Sequence, residues 1–131
     1  MKQITEDYVS FETAKLLKEN GFDEPCIGFY NPTDGCFFEA SIRKSWDYDR
    51  YGSISAPTHQ MAMKWLREVH GLNIQPYIVR TIELKRAYNV TIYDNNCEQI
   101  KSHFGSNIFD GFISYEDAVE ASILYVLKNL I

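Results

Sequence analysis

The sequence predicts an α+β domain in which three helices pack on a mainly antiparallel sheet of about four strands. Three observations lead to this class. Three amphipathic segments begin at helix-capping residues, four short runs have strand character, and turn residues separate these runs in pairs, which gives the order α-ββ-α-ββ-α. The 131 residues correspond to one domain with a single core, residues 1–131.

Composition narrows the classes of protein to consider. Hydrophobic residues make up 45% of the chain and aromatic residues 15%, which indicates a packed globule. The net charge of −5 and the lack of a basic cluster disfavour nucleic acid as a partner. No apolar run reaches the ~20 residues of a membrane span, and the N-terminus lacks a signal-peptide core, so we expect a cytoplasmic protein without a membrane partner.

Two helices are marked at both ends by capping residues. The first is predicted from about Ser10, a good N-cap, to Asn20, and Gly21 stops it. The central helix follows Thr58, whose hydroxyl can cap the first turn, and ends at Gly71. Its apolar arc is predicted to anchor the core and comprises Met61, Ala62, Trp65 at the centre, Leu66 and Val69.

The first predicted hairpin pairs residues 26–30 with residues 36–40. An Asn-Pro-Thr-Asp-Gly turn joins them, and this spacing sets Tyr30 opposite Cys36. Cys26 then lies opposite Ala40, at a different level from Cys36, so these two cysteines cannot bond. An odd total of three cysteines also argues for reduced thiols. The alternating residues of the second strand that share a predicted buried face are Cys36, Phe38, Ala40 and Ile42.

The second predicted hairpin joins residues 74–84 to residues 88–93. Pro76 cannot donate a ladder hydrogen bond, so it belongs at the start of a strand or on a sheet edge. Residues 94–113 show no clear period and are predicted to form a long connection, with a short strand or helical turn near residues 108–112.

The last helix begins at Ser114, its predicted N-cap, and is apolar almost all round in its second half. Such a helix is either sandwiched inside the domain or shared with a partner. We predict a homodimer or higher oligomer that uses this helix or the loop of residues 45–56. In the competing interpretation residues 94–113 fold over the second apolar face. The main stripe is Tyr115, Val119, Ile123, Val126 and Leu130, and the residues beyond it are Leu124, Tyr125, Leu127 and Ile131.

Three separated sequence blocks carry a resemblance to a known group of proteins. They read YVSFE…AKLLKE…GF at residues 8–22, APTHQ…KWLREVH at residues 56–70, and SYEDA…LKNLI at residues 114–131. Together they resemble a family of small uncharacterised proteins carried by gut bacteria of the Bacteroides group and by their phages and mobile elements. The resemblance implies a bacterial or phage cytosolic setting, and it assigns no activity and no site residues.

The loop before the central helix is the leading candidate for a binding surface. Aromatic side chains between charges give the contact area that protein interfaces favour. In the alternative interpretation these rings fold back and cover the sheet. With His59, which follows the cap of the central helix, the candidate binding residues are Trp46, Tyr48, Asp49, Tyr51 and His59.

No residue set specifies a catalytic, cofactor or metal site. His59 and His70 lie about 16 Å apart along the central helix and cannot share an ion. We therefore expect a non-enzymatic accessory protein of a bacterial mobile element or phage that acts by contact with an unidentified protein. The alternative is a small enzyme that uses His59 as a base together with Asp47 or Asp49.

Overall fold

The computed structural model describes residues 3–43, 52–81, 83, 85–101 and 111–131. These residues form three helices and six strands, and the α+β class predicted from the sequence is confirmed. The order is α1 (Phe11–Glu19), β1 (Cys26–Tyr30), β2 (Phe37–Arg43), β3 (Ile54–Ser55), α2 (His59–His70), β4 (Asn73–Arg80), β5 (Arg86–Tyr93), β6 (Gln99–Lys101) and α3 (Tyr115–Asn129).

The described strands form two antiparallel sheets of three strands each, where the sequence predicts one sheet of about four. Their orders are β2-β1-β3 and β4-β5-β6. The two short strands raise the number of strands from four to six, because β3 occupies the second edge of β1 and β6 occupies the second edge of β5. Among the described strands the two predicted hairpins do not pair with each other, so they form separate sheets. Pro76 lies in β4, at an edge of the second sheet, as its missing N–H predicts.

The first hairpin forms, but its register differs from the prediction. Tyr30 pairs with Phe37 instead of Cys36, and a bulge after Cys26 sets that residue opposite Arg43. Cys36 belongs to the turn rather than to β2, because the backbone N–H of Cys36 donates to the Asp34 carboxylate over 2.9 Å. The cysteines are free, as predicted.

The predicted N-caps form at the start of all three described helices. The hydroxyls of Ser10, Thr58 and Ser114 each accept a backbone N–H from the first turn of α1, α2 and α3. Gly71 ends α2 in the left-handed conformation, with φ of 68°. This reversal brings Leu72 back onto the domain, where its N–H donates to the Leu66 carbonyl over 3.1 Å.

Two residues of the predicted arc of α2 are exposed, which corrects the orientation of this helix. Trp65 and Leu66 are buried as predicted, but Met61 is 40% and Val69 58% exposed. The buried arc is centred on Ala62 and Leu66, so Met61 falls beyond its edge. Val69 lies in the last turn, where Leu72 fills the core after the chain reverses.

Helix α3 is sandwiched inside the domain. It contacts α1 and α2 as well as strands β4 and β5. Leu127 is buried, and the half-buried Tyr125 ring lies 5.7 Å from the Lys101 Nζ of β6. Phe112 exchanges two backbone hydrogen bonds with Tyr88 beside the start of α3. Most of the apolar surface of α3 is thus covered by other parts of the same chain. Residues 108 and 109, which belong to the segment that the competing interpretation folds over this helix, lie outside the described residues.

Within the described ranges, none of the helices has the length and apolar character that crossing a bilayer requires.

Candidate functional site

Of the five predicted binding residues, His59 is the one that lies within the described part of the chain. Its side chain faces the interior rather than solvent. It is the first residue of α2 and is 7% exposed. Its Nε2 lies 2.9 Å from Glu120 Oε1 on α3, and its backbone N–H donates to the Asp7 carbonyl over 2.9 Å. Among the described residues, Glu120 is the hydrogen-bond partner of the His59 ring.

Glu120 joins all three helices through one carboxylate. Ser10, the N-cap of α1, donates its backbone N–H to Oε1 over 3.0 Å and its hydroxyl to Oε2 over 2.9 Å. The Thr13 hydroxyl donates to Oε2 as well. The four residues Ser10, Thr13, His59 and Glu120 form what we call the Glu120 cluster, which connects α1, α2 and α3.

The Glu120 cluster favours the ionised carboxylate. Burial opposes ionisation of Glu120, but the hydrogen bonds from His59, Thr13 and Ser10 outweigh it and lower its pKa. An ionised carboxylate only accepts hydrogen bonds, so His59 Nε2 carries a proton and donates it. The carboxylate–histidine pair resembles the orienting half of a catalytic triad, but in the described part of the chain no hydroxyl or thiol is hydrogen-bonded to the ring.

We expect the stability that this carboxylate contributes to depend on pH. The folded pKa lies below the ordinary value of 4.5, so the contribution is complete above that value and is lost as the pH falls through the folded pKa. Urea unfolding of the wild type and of Glu120→Gln between pH 7 and pH 3 measures this. The free-energy difference between the two proteins should shrink on acidification, and a constant difference would contradict the assignment.

A cleft of about 250 Å³ opens beside His59. It is lined by the carboxylates of Glu6, Asp7 and Glu116 and by Thr58, whose hydroxyl already caps α2. Within the described residues no group of three or more His, Cys, Asp or Glu side chains could hold a metal ion. The arrangement thus offers one oriented histidine beside acidic side chains.

An apolar groove of about 240 Å³ lies at the other side of the α2 N-terminus. Three aliphatic residues on different elements line it and are exposed, namely Ile27 at 45%, Ile42 at 70% and Met61 at 40%. The buried residues Cys26 and Ala56 also line it. We call the surface formed by these five residues the apolar groove.

Cys26 does not make the apolar groove reactive. Burial raises the pKa of its thiol to about 11, so the nucleophilic thiolate is scarce at neutral pH.

The neighbouring aromatic residues extend the apolar groove. Tyr8 also lines it, its ring lies 4.8 Å from that of the exposed Phe37, and Gly28 leaves the space that the Tyr8 ring occupies.

A larger cleft of about 490 Å³ lies at the C-terminal end of α2. It is more polar than the apolar groove, since a guanidinium, a carboxylate, side-chain amides and a thiol line it together with Ile74 and Tyr93. The residues that matter for its chemistry are Arg67, Asn73, Gln75, Asn95 and Cys97.

The structure addresses only part of the predicted site. Trp46, Asp47, Tyr48, Asp49 and Tyr51 belong to residues 44–51, outside the described residues. The pairing of His59 with Asp47 or Asp49 therefore stays a prediction.

Sequence reasoning missed Glu120 as the partner of His59, although one signal was present. Glu120 is the single charged residue between Asp117 and Lys128, in a mainly apolar stretch of helix. A lone carboxylate in such a stretch needs a hydrogen-bonded partner when the helix packs. The apolar groove was missed because Met61 and Ile42 were both assigned to buried faces.

Comparison of the chain with known protein families, with curated protein sequences and with solved structures finds no match.

Proposed function

We propose that this protein is a non-enzymatic binding protein that acts by contact with another protein through the apolar groove. The observation that carries the proposal is the exposure of Ile27, Ile42 and Met61 around one concavity. Exposed aliphatic side chains are ordinary when scattered, but a group of them around a groove is typical of an interaction site. These side chains are exposed to water in the free protein, so burying them in an interface would be favourable through the hydrophobic effect.

The groove suits an extended partner segment that carries apolar side chains. Ile42 lies on β2, and among the described strands β2 has a neighbour on one side only. A partner segment can therefore pair with the open edge of β2 while its side chains enter the groove. Glu6 also lines the groove, which favours a basic residue beside the apolar ones.

The accessory role in a bacterial mobile element or phage, and the cytoplasmic location that this role implies, rest on the resemblance carried by the three sequence blocks. Self-association is a separate proposal. We propose that a homodimer or higher oligomer uses the loop of residues 45–56 rather than α3, because α3 is largely covered within its own chain. Light scattering over a concentration series tests this, and a monomer mass at the highest concentration would contradict it.

The alternative function is an enzyme that uses His59 with Asp47 or Asp49, and the cleft beside His59 supports it. The hydrogen bond to Glu120 favours the binding protein, since it already gives His59 a role in joining the helices.

Ile42→Glu should abolish partner capture without unfolding the protein. Ile42 is 70% exposed, so its replacement is expected to change the free energy of unfolding by no more than about 0.5 kcal/mol. Buried in an interface, the new carboxylate would be unpaired and strongly unfavourable. Affinity purification from cells that express the protein, followed by mass spectrometry, measures the bound proteins.

The matched control is Ile78→Glu, which places the same charge on β4 of the second sheet at a residue that is 62% exposed. We expect Ile78→Glu to retain the partners of the wild type and Ile42→Glu and Met61→Glu to lose them. Equal capture by all three variants would refute the role of the apolar groove.

A further inference from the structure

The cleft at the C-terminal end of α2 has the features of a small-molecule site that is separate from the apolar groove. Its volume of about 490 Å³ falls in the range of ligand pockets, ~300–1,000 Å³. Arg67 comes from the last turn of α2, while Asn73 and Gln75 come from β4 and Asn95 from the turn after β5. Regular elements therefore hold most of the polar groups in place.

Two amides of this cleft, those of Asn73 and Asn95, are oriented by a hydrogen bond between them. Asn73 Nδ2 donates to Asn95 Oδ1 over 3.2 Å and to the Tyr93 carbonyl over 3.4 Å. The Asn95 amide packs against Gly71, where an added Cβ would lie only 2.8 Å from its nitrogen. The glycine that ends α2 thus also makes room for this side chain, and the positions of the Asn73 and Asn95 amides are set before any ligand arrives.

Arg67 has no ionic partner among the described residues, although Asp94 lines the same cleft. The Asp94 carboxylate is engaged locally instead, since its Oδ1 accepts the backbone N–H groups of Asn96 and Glu98 over 2.8 and 3.0 Å. A cation in the last turn of a helix also interacts favourably with the helix dipole. That interaction explains the charge at this end of α2, but it leaves the guanidinium donors free for an anion.

We propose that the cleft binds a small organic carboxylate, with Arg67 holding the carboxylate and the amides of Gln75 and Asn95 contacting the rest of the ligand. The planar fork of a guanidinium matches a carboxylate through two parallel hydrogen bonds. A singly charged ligand fits better than a doubly charged phosphate, because the cleft offers one cation, contains Asp94 and belongs to a chain of net charge −5.

Cys97 provides a reporter of occupancy. It is exposed and lines the cleft, whereas Cys26 is buried and Cys36 lies in the turn of the first hairpin. In a Cys36→Ser background Cys97 is therefore the accessible thiol, and its alkylation by iodoacetamide can be followed by mass spectrometry. The probes are the singly charged propionate, lactate and benzoate, with propionamide, lactamide and benzamide as the matched amides and inorganic phosphate as a doubly charged comparison.

We expect at least one carboxylate probe to slow alkylation in proportion to occupancy, about tenfold when its concentration is ten times its Kd. The matched amide should not protect, phosphate should protect less, and Arg67→Gln should remove the protection. Lys64→Gln, which removes an exposed cation from the same helix, should leave it intact. The proposal is overturned if no carboxylate slows alkylation, if phosphate protects best, or if Arg67→Gln is protected as well as the parent.

Discussion

Trp65→Ala should destabilise the protein by about 3–5 kcal/mol, the usual cost of deleting a buried aromatic side chain. Trp65 is 6% exposed and packs edge-on against Phe22, with ring centroids 5.5 Å apart, and against His70 at 4.8 Å. Its removal would leave a cavity between α2 and the segment after α1. Urea unfolding followed by circular dichroism at neutral pH gives the change in free energy.

The control for Trp65→Ala is Lys64→Ala, the preceding residue, which is exposed. Alanine is a good helix former, so this variant should be close to neutral. A loss of stability in Trp65→Ala no greater than that in Lys64→Ala would show that α2 does not pack through Trp65.

Glu120→Ala should cost about 3 kcal/mol, since hydrogen bonds to a charged group contribute roughly 1.5–3 kcal/mol each and are not additive within one cluster. The alanine leaves Ser10, Thr13 and His59 without their shared acceptor. Loss of this acceptor separates the α1 N-cap and the first residue of α2 from α3. We therefore expect a lower melting temperature together with weaker amide-exchange protection in the first turn of α1.

Glu68→Ala is the matched control, because Glu68 is an exposed glutamate of α2. Its effect should stay within about 0.5 kcal/mol. If Glu120→Ala is no more destabilising than Glu68→Ala, the Glu120 cluster does not hold the helices together.

The ends of the helices could be predicted because they depend on local chemistry. The hydroxyls of Thr58 and Ser114 accept N–H groups three residues ahead in the chain, and Gly71, which has no Cβ, adopts the left-handed conformation without steric cost. Side-chain periodicity likewise predicted β5, whereas on the predicted buried face of β2 only Phe38 and Ala40 are partly buried and Cys36 and Ile42 are exposed. These patterns depend only on short segments of sequence, so they can be interpreted without knowing the rest of the fold.

Burial and partnership could not be predicted in the same way because they depend on distant elements. Periodicity places Ile42 on the face of Phe38, but it does not tell how far along β2 the core extends, and Ile42 lies beyond that limit. The hydrogen bond between His59 and Glu120 joins residues 61 positions apart. The third strand of the second sheet, β6, could not be predicted either, because it has only three residues and no distinctive pattern.

Site-specific photocross-linking in cells that naturally express the protein tests the central claim most directly. A photoreactive phenylalanine analogue replaces Ile42 in the apolar groove, or Ile78 on the second sheet as the control, and irradiation links each to whatever touches it. We predict a discrete adduct with another protein from position 42 and none from position 78. The account would be contradicted if position 42 gave no adduct, the same adducts as position 78, or only an adduct of twice the 15.2 kDa chain mass.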